Sequence, residues 1–140
     1  MSNMGLSSIT NLKVRFQECD PMQIVWHGNY FKYFEEGRED FCKNNSISYL
    51  HAQQHGFATP IVKTECEHKL PLQYGDEFEV ETTFINSEAA KMIFHYKIFS
   101  SKKLICTGST TQVFTDKNSE LVLTNPPFFL DWKKKMGLVK

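Results

Sequence analysis

A chain of 140 residues with 16 basic and 16 acidic side chains has room for one domain with its own core, and its zero net charge supplies no long-range field to gather nucleic acid or an anionic membrane. The four cysteines, Cys19, Cys42, Cys66 and Cys106, are scattered without a CxxC pair, and no basic segment followed by an apolar run opens the chain, which predicts free thiols in a reducing cytoplasm. No stretch approaches the roughly 20 apolar residues of a membrane-spanning helix, so a single cytoplasmic domain over residues 1–140 is expected.

From Ile9 to Gln17 the pattern alternates, with Leu12, Val14 and Phe16 on one face and Lys13, Arg15 and Gln17 on the other, which predicts a strand. It runs into "ECDPMQIVWHGNY" at 18–30. Beyond that, Tyr30, Phe34, Gly37 and Phe41 recur at helical spacing, with Lys32, Glu35, Glu36, Glu39 and Lys43 on the polar side, predicting a helix over 29–45. Gly37 lies within the apolar stripe, where the missing side chain costs about 1 kcal/mol of propensity but admits a close neighbour. A short helix or turn over 47–55 follows. Strand-like stretches come next at 57–69, 77–87, 91–100 and 103–115, separated by the breaks Tyr74-Gly75-Asp76, Asn86-Ser87-Glu88 and Ser100-Ser101-Lys102-Lys103. Asn125-Pro126-Pro127 interrupts regular structure ahead of a short helix from Phe128 to Lys135.

One long helix and one antiparallel sheet must cover each other's apolar faces, which predicts an α+β layer with the sheet wrapped on the helix. The edges of such a sheet leave backbone groups open. Pairing of edge strands between two copies satisfies them, so a homodimer with a continuous sheet is expected.

Familiar catalytic patterns are absent. "HAQQH" at 51–55 places His51 and His55 on one helix face but lacks the glutamate of HExxH, and Cys66 and His68 share a strand face without a second pair of ligands. No metal site is expected. There is no GxSxG, phosphate loop or dinucleotide fingerprint, and the lysines at 133–135 read as a solvated tail rather than a nucleic-acid contact. The segment 18–30 admits two readings. In one, Glu18, Asp20 and Pro21 form a polar turn and His27 or Asn29 caps the helix. In the other, the apolar interior "MQIVW" lines a pocket or interface, and Asp20 faces the positive end of the helix and its unpaired N–H groups, an anion beside donors able to polarise a carbonyl.

The stretch "FQECDPMQIVWHGNYFKYFEEGRE" resembles the signature of the hot-dog fold 4-hydroxybenzoyl-CoA thioesterase family, which includes the acyl-CoA thioesterases encoded with the bacterial Tol–Pal system. The match is specific over 14–42 and continues more loosely through "GFATPIV" at 56–62. The resemblance implies a long helix wrapped by an antiparallel sheet, paired as dimers that in the family often assemble into tetramers. It implies a thioesterase acting on acyl-CoA, or on an acyl carrier protein thioester, with no metal or cofactor, coenzyme A being part of the substrate. Asp20 matches the catalytic aspartate, as nucleophile or as general base, and the backbone N–H of His27 takes the position that points at the thioester oxygen. A small acyl group, aromatic or short-chain, is expected between Trp26, Phe57 and the face of the helix, with Tyr30 and Thr59 as further substrate-binding candidates. Glu35 stands where some members carry an aspartate that contacts a phenolic hydroxyl. Where a basic cluster can hold the phosphates of coenzyme A, this sequence reads Ala89-Ala90-Lys91, so only Lys91 remains. Two alternatives stay open: a hot-dog hydratase or dehydratase using Glu35 with His27, and a non-catalytic acyl-thioester-binding protein.

Overall fold

The computed structural model describes residues 6–139; residues 1–5 and Lys140 of the expected domain lie outside the described part. In chain order the elements are β1 (Ser7–Lys13), α1 (Asn29–Asn44), α2 (Tyr49–Gln54), β2 (Ile61–His68), β3 (Glu77–Ile85), β4 (Lys91–Ser100), β5 (Lys103–Thr115), β6 (Leu121–Val122) and α3 (Pro127–Lys135). The main strands form an antiparallel sheet in the order β1-β3-β4-β5-β2, and β6 adds a short pairing to β5. The expected α+β arrangement, one long helix against one antiparallel sheet, is the one observed.

The period of 3.6 in α1 buries Tyr30, Tyr33, Phe34, Gly37 and Phe41 on one side. The period of 2 in β3 and β4 buries Phe78, Val80, Thr82 and Phe84 with Met92, Phe94, Tyr96 and Ile98. These two faces meet. Phe34 stacks on Tyr96 with ring centroids 4.5 Å apart, and Phe41 meets Phe94 edge-on at 5.4 Å. Gly37 is the point of closest approach: a Cβ there would lie 2.8 Å from Val80 Cγ1 and nearer still to Thr82 Oγ1. The turn between β4 and β5 is tight because Ser101 and Lys102 both take the left-handed conformation, with φ of 51° and 66°.

Three readings of the sequence need correction. The first strand ends at Lys13, and the chain then enters a 3-10 turn over Phe16–Glu18. Val14 is buried as expected, but Phe16 leaves the alternation and is 76% exposed, edge-on to Tyr74. The stretch expected as a strand from 57 is extended only from Ile61, with Ala58 making one isolated bridge to Thr115. The lysines at 133–135 are not all solvated. Lys133 is 1% exposed, donates to the Ser87 carbonyl at 2.6 Å and lies over the Phe129 ring, and burial pulls its pKa down. The aromatic residues of α3 close one end of the core: Trp132 packs on Phe84, Phe129 on Phe114, and the Trp132 indole donates to the Asn45 carbonyl at 2.7 Å.

The β2 edge differs from the rest of the sheet. Like β1 at the other edge it pairs on one side only, here with β5, but unlike β1 it has no fully buried residue. Ile61 and Val62 are exposed there, as is Leu70 just beyond its end.

Candidate active site

Residues 18–28 fold as a narrow loop whose two arms pair with each other. Trp26 N–H donates to the Glu18 carbonyl at 2.9 Å, Cys19 and Val25 form an antiparallel bridge, and Asp20 N–H donates to the Ile24 carbonyl at 2.9 Å. The tip turns through Gln23, whose N–H donates to the Asp20 carbonyl at 2.8 Å and whose φ is 67°. Asp20 Oδ1 accepts the Met22 N–H at 2.8 Å, so the side chain is held over its own turn. The base of the loop is tied to the body of the protein by the Val25 N–H to Leu72 carbonyl bond at 2.8 Å.

The loop delivers the chain to α1 without a side-chain cap. Gly28 occupies the N-cap, and neither His27 nor Asn29 plays the capping part expected of it; the Asn29 amide instead donates back to the Glu18 carbonyl at 2.9 Å. Among the described residues, no acceptor meets the backbone N–H of His27 or of Gly28. These are the unpaired donors of a helix start, at its positive end. Trp26 folds over this point: a Cβ at residue 28 would lie 2.7 Å from Trp26 Cε3, so glycine is what lets the indole lie there.

Glu18 is the residue that sequence reasoning underrated. Read as part of a polar turn, it is 4% exposed, and its carboxylate accepts the Arg15 N–H at 2.8 Å, the Tyr33 hydroxyl at 2.9 Å and the Lys32 ammonium at 2.6 Å. Burial pushes its pKa up, but the bonds from Lys32, the Arg15 amide and Tyr33 outweigh this and leave it below the ordinary carboxylate value. The same contact works in reverse on Tyr33, whose phenol is pushed well up by burial and by its bond to Glu18. The available signal was a glutamate three residues after Arg15, closing back on that residue's amide as in a capping box, but Arg15 is a poor cap and the signal is weak.

Comparison with known proteins decides the family. Residues 14–133 match the sequence profile of the thioesterase-like superfamily. This chain belongs to the thioesterase-like superfamily. Within it, the chain is 32% identical over 110 residues to a candidate esterase of Aquifex aeolicus, covering 79% of this chain and 85% of that one. It is 29% identical over 122 residues to a candidate acyl-CoA thioesterase of Bacillus subtilis, covering 86% and 88%. It superposes on the DHNA-CoA thioesterase of Staphylococcus aureus with a TM-score of 0.83 and 26% identity, over 94% of this chain and 89% of that one. The family expected from residues 14–42 is thereby met, and the hot-dog fold with it.

In this thioesterase-like chain the other residues singled out from sequence fall in two places. Near the loop, Trp26 is 52% exposed with its ring 5.0 Å from that of His27, and Tyr30 is buried against Tyr33 and His68. Burial pushes the pKa of the Tyr30 phenol up to about 12. Glu35 is exposed on the outer side of α1. Elsewhere, Phe57 joins Phe114 and Phe128 rather than Trp26, the Thr59 carbonyl accepts the Gln112 amide at 2.8 Å, and Lys91 is exposed at the start of β4. His51 and His55 stack on each other and on Phe128, and no cluster suited to a metal ion exists among the described residues. A groove of about 970 Å³ opens beside Arg15, Phe16, Lys32, Tyr33 and Tyr74, and neither Asp20 nor His27 lines it. No described helix is long and apolar enough to cross a membrane.

Proposed function

We propose that this protein hydrolyses acyl-CoA thioesters. The observation that carries the reading is the pair of unmet N–H donors at His27 and Gly28, presented at the positive end of α1 beside a loop that carries Asp20. A thioester carbonyl oxygen accepts the His27 N–H and gains negative charge as its carbon becomes tetrahedral. Asp20 acts in one of two ways: it takes a proton from the water that adds to the carbonyl carbon, or it adds itself, forming an anhydride that water then opens. In both the C–S bond breaks, the thiolate of coenzyme A leaves, and the product is a carboxylic acid. Neither route needs a metal or a cofactor.

The acyl group we assign is small, aromatic or short-chain, lying against Trp26 and the start of α1. The S. aureus relative named for DHNA-CoA supports an aromatic acyl group, and Lys91 is the residue assigned to the phosphates of coenzyme A. The decisive experiment is thiol release from a panel of acyl-CoAs that includes hydroxyaryl and short aliphatic thioesters. Hydrolysis liberates thiol. A hydratase changes the acyl chain without liberating it, and a binding protein does neither, so no thiol from any member of the panel refutes the proposal.

His27 provides a finer test, because the group assigned to the carbonyl belongs to the main chain. His27→Ala keeps the N–H and is expected to retain turnover within about 5-fold, whereas His27→Pro removes the donor and should cost about 100-fold or more in kcat, as loss of one oxyanion donor does. Equal damage from the two, with circular dichroism unchanged, would assign the chemistry to the imidazole and favour the hydratase.

The active form we propose is a homodimer joined along the open edge of β2, able to pair further into a tetramer. Three facts support it: β2 is unpaired on one side, Ile61 and Val62 stand exposed along it, and the loop leaves Met22 75% exposed and Trp26 52% exposed, apolar surface that a second copy would cover. Specific activity should then fall on dilution in proportion to the dimer fraction. Light scattering and thiol release on the same samples check it; a monomer with full activity per chain contradicts a dimeric active form.

A further inference from the structure

We propose that Glu18 is a positioning residue for the hydrolytic site, fixing through its backbone carbonyl the loop on which Asp20 is carried. The inference rests on the hydrolase reading above. Asp20 itself is weakly held, since its only side-chain bond among the described residues is to Met22 N–H within the same turn. Its placement relative to α1 therefore depends on what holds the loop to the helix. Two bonds of that attachment converge on one atom, the Glu18 carbonyl oxygen, which accepts Trp26 N–H from the far arm of the loop and the Asn29 amide from the first residue of α1, each at 2.9 Å, beside the bond of Asn29 N–H to the Trp26 carbonyl. Shift that oxygen and both arms of the loop shift against the donors at His27 and Gly28.

The Glu18 side chain is what immobilises it. Its carboxylate is anchored to α1 by Lys32 and Tyr33, and to its own 3-10 turn by the Arg15 amide. Tyr33 is itself locked, fully buried with its ring 4.6 Å from that of Phe78 on β3. A chain of rigid contacts thus runs from the sheet through Tyr33 to Glu18, and from Glu18 to both ends of the Asp20 loop. Charge-assisted bonds suit this task because they are shorter and more directional than neutral ones. Glu18 does not approach the substrate; it acts through Asp20.

The test uses steady-state kinetics on the full chain, at a temperature where near-ultraviolet circular dichroism shows each variant folded. Glu18→Gln keeps shape but turns an amide group toward donors, and a displacement of the loop by a fraction of an ångström should lower kcat by about 10- to 30-fold with KM changed by less than about 3-fold. Adding Glu18→Gln to Asp20→Asn should cost no more than about 2-fold, because the group being positioned is already gone. If Glu18→Gln does not fold, Tyr33→Phe removes one anchoring hydroxyl and keeps the buried ring; kcat should then fall about 5-fold with KM unchanged. A wild-type kcat in Glu18→Gln, or in Tyr33→Phe where that stands in for it, overturns the positioning role alone, provided Asp20→Asn is inactive. Equal losses from Glu18→Gln in the two backgrounds also overturn it, as a merely structural effect. Full turnover in Asp20→Asn removes the hydrolase reading and this inference together.

Discussion

Asp20→Asn should lower thioester hydrolysis by about 100-fold or more while leaving the fold and the binding of acyl-CoA nearly unchanged. The chemical half of this follows from charge: the amide cannot take a proton from water at neutral pH and is a far poorer nucleophile than a carboxylate. The structural half follows from the loop. Asp20 Oδ1 accepts Met22 N–H, a bond that the asparagine carbonyl can make equally well, and asparagine is as suited as aspartate to a turn of this kind. The bonds of Asp20 N–H to Ile24 and of Gln23 N–H to the Asp20 carbonyl involve only the main chain and survive any substitution short of proline. The loss should therefore appear in kcat and not in the unfolding midpoint. Measured turnover within a few-fold of wild type would exclude Asp20 from the mechanism.

Gly108→Ala should be the costliest single-methyl change in the sheet, lowering stability by about 3 kcal/mol, the upper part of the range for forcing atoms into a packed core. Gly108 lies on β5, opposite Tyr96 on β4 and Cys66 on β2. A Cβ there would stand 2.5 Å from Phe34 Cζ and 2.7 Å from the Glu65 carbonyl oxygen. Neither neighbour can give way. Phe34 is fully buried and stacked on Tyr96, and the Glu65 oxygen belongs to the backbone of a paired strand. Gly75→Ala is the contrasting change: nothing lies within 4 Å of its Cβ position, but a φ of 87° makes alanine strained by about 1 kcal/mol. Urea denaturation of both variants separates crowding from backbone strain. Similar midpoints for the two would mean that the strand moves aside and that the packing under α1 is softer than its contacts imply.

How much of this was legible in the sequence depended on how local the deciding interaction was. The helix at 29–44 was readable because four apolar positions at helical spacing meet one sheet face, and the β3-β4 and β4-β5 hairpins because their turns carry polar residues at the break, whereas the break at Gly75 joins β2 and β3, which do not pair. The end of β1 was not: Val14 and Phe16 continue the alternation, but the chain has to turn at Arg15 to bring Glu18 to Lys32 and Tyr33, and those partners lie 14 and 15 residues further on. Lys133 misled for a similar reason. A run of three lysines looks solvated until one of them meets the Ser87 carbonyl 46 residues earlier in the chain. At the site, the order of Asp20, His27 and the helix was legible from the family signature, and the unmet N–H groups could be anticipated from any helix start. The role proposed for Glu18 could not, because a glutamate next to a turn is ordinarily exposed and only the fold brings Lys32 and Tyr33 to its carboxylate.

The aromatic wall of α3 bears on how the protein is made. All five long strands and α1 precede it in the chain, yet Phe129 and Trp132 are what cover Phe84 and Phe114 at that end of the core. A nascent chain that has released the sheet but not residues 127–135 therefore shows the cell an open greasy mouth beside an unpaired β2 edge. That is the combination from which misassembly starts and to which holding chaperones bind. Two bonds from adjacent residues shut that mouth, the Trp132 indole to the Asn45 carbonyl and the Lys133 ammonium to the Ser87 carbonyl.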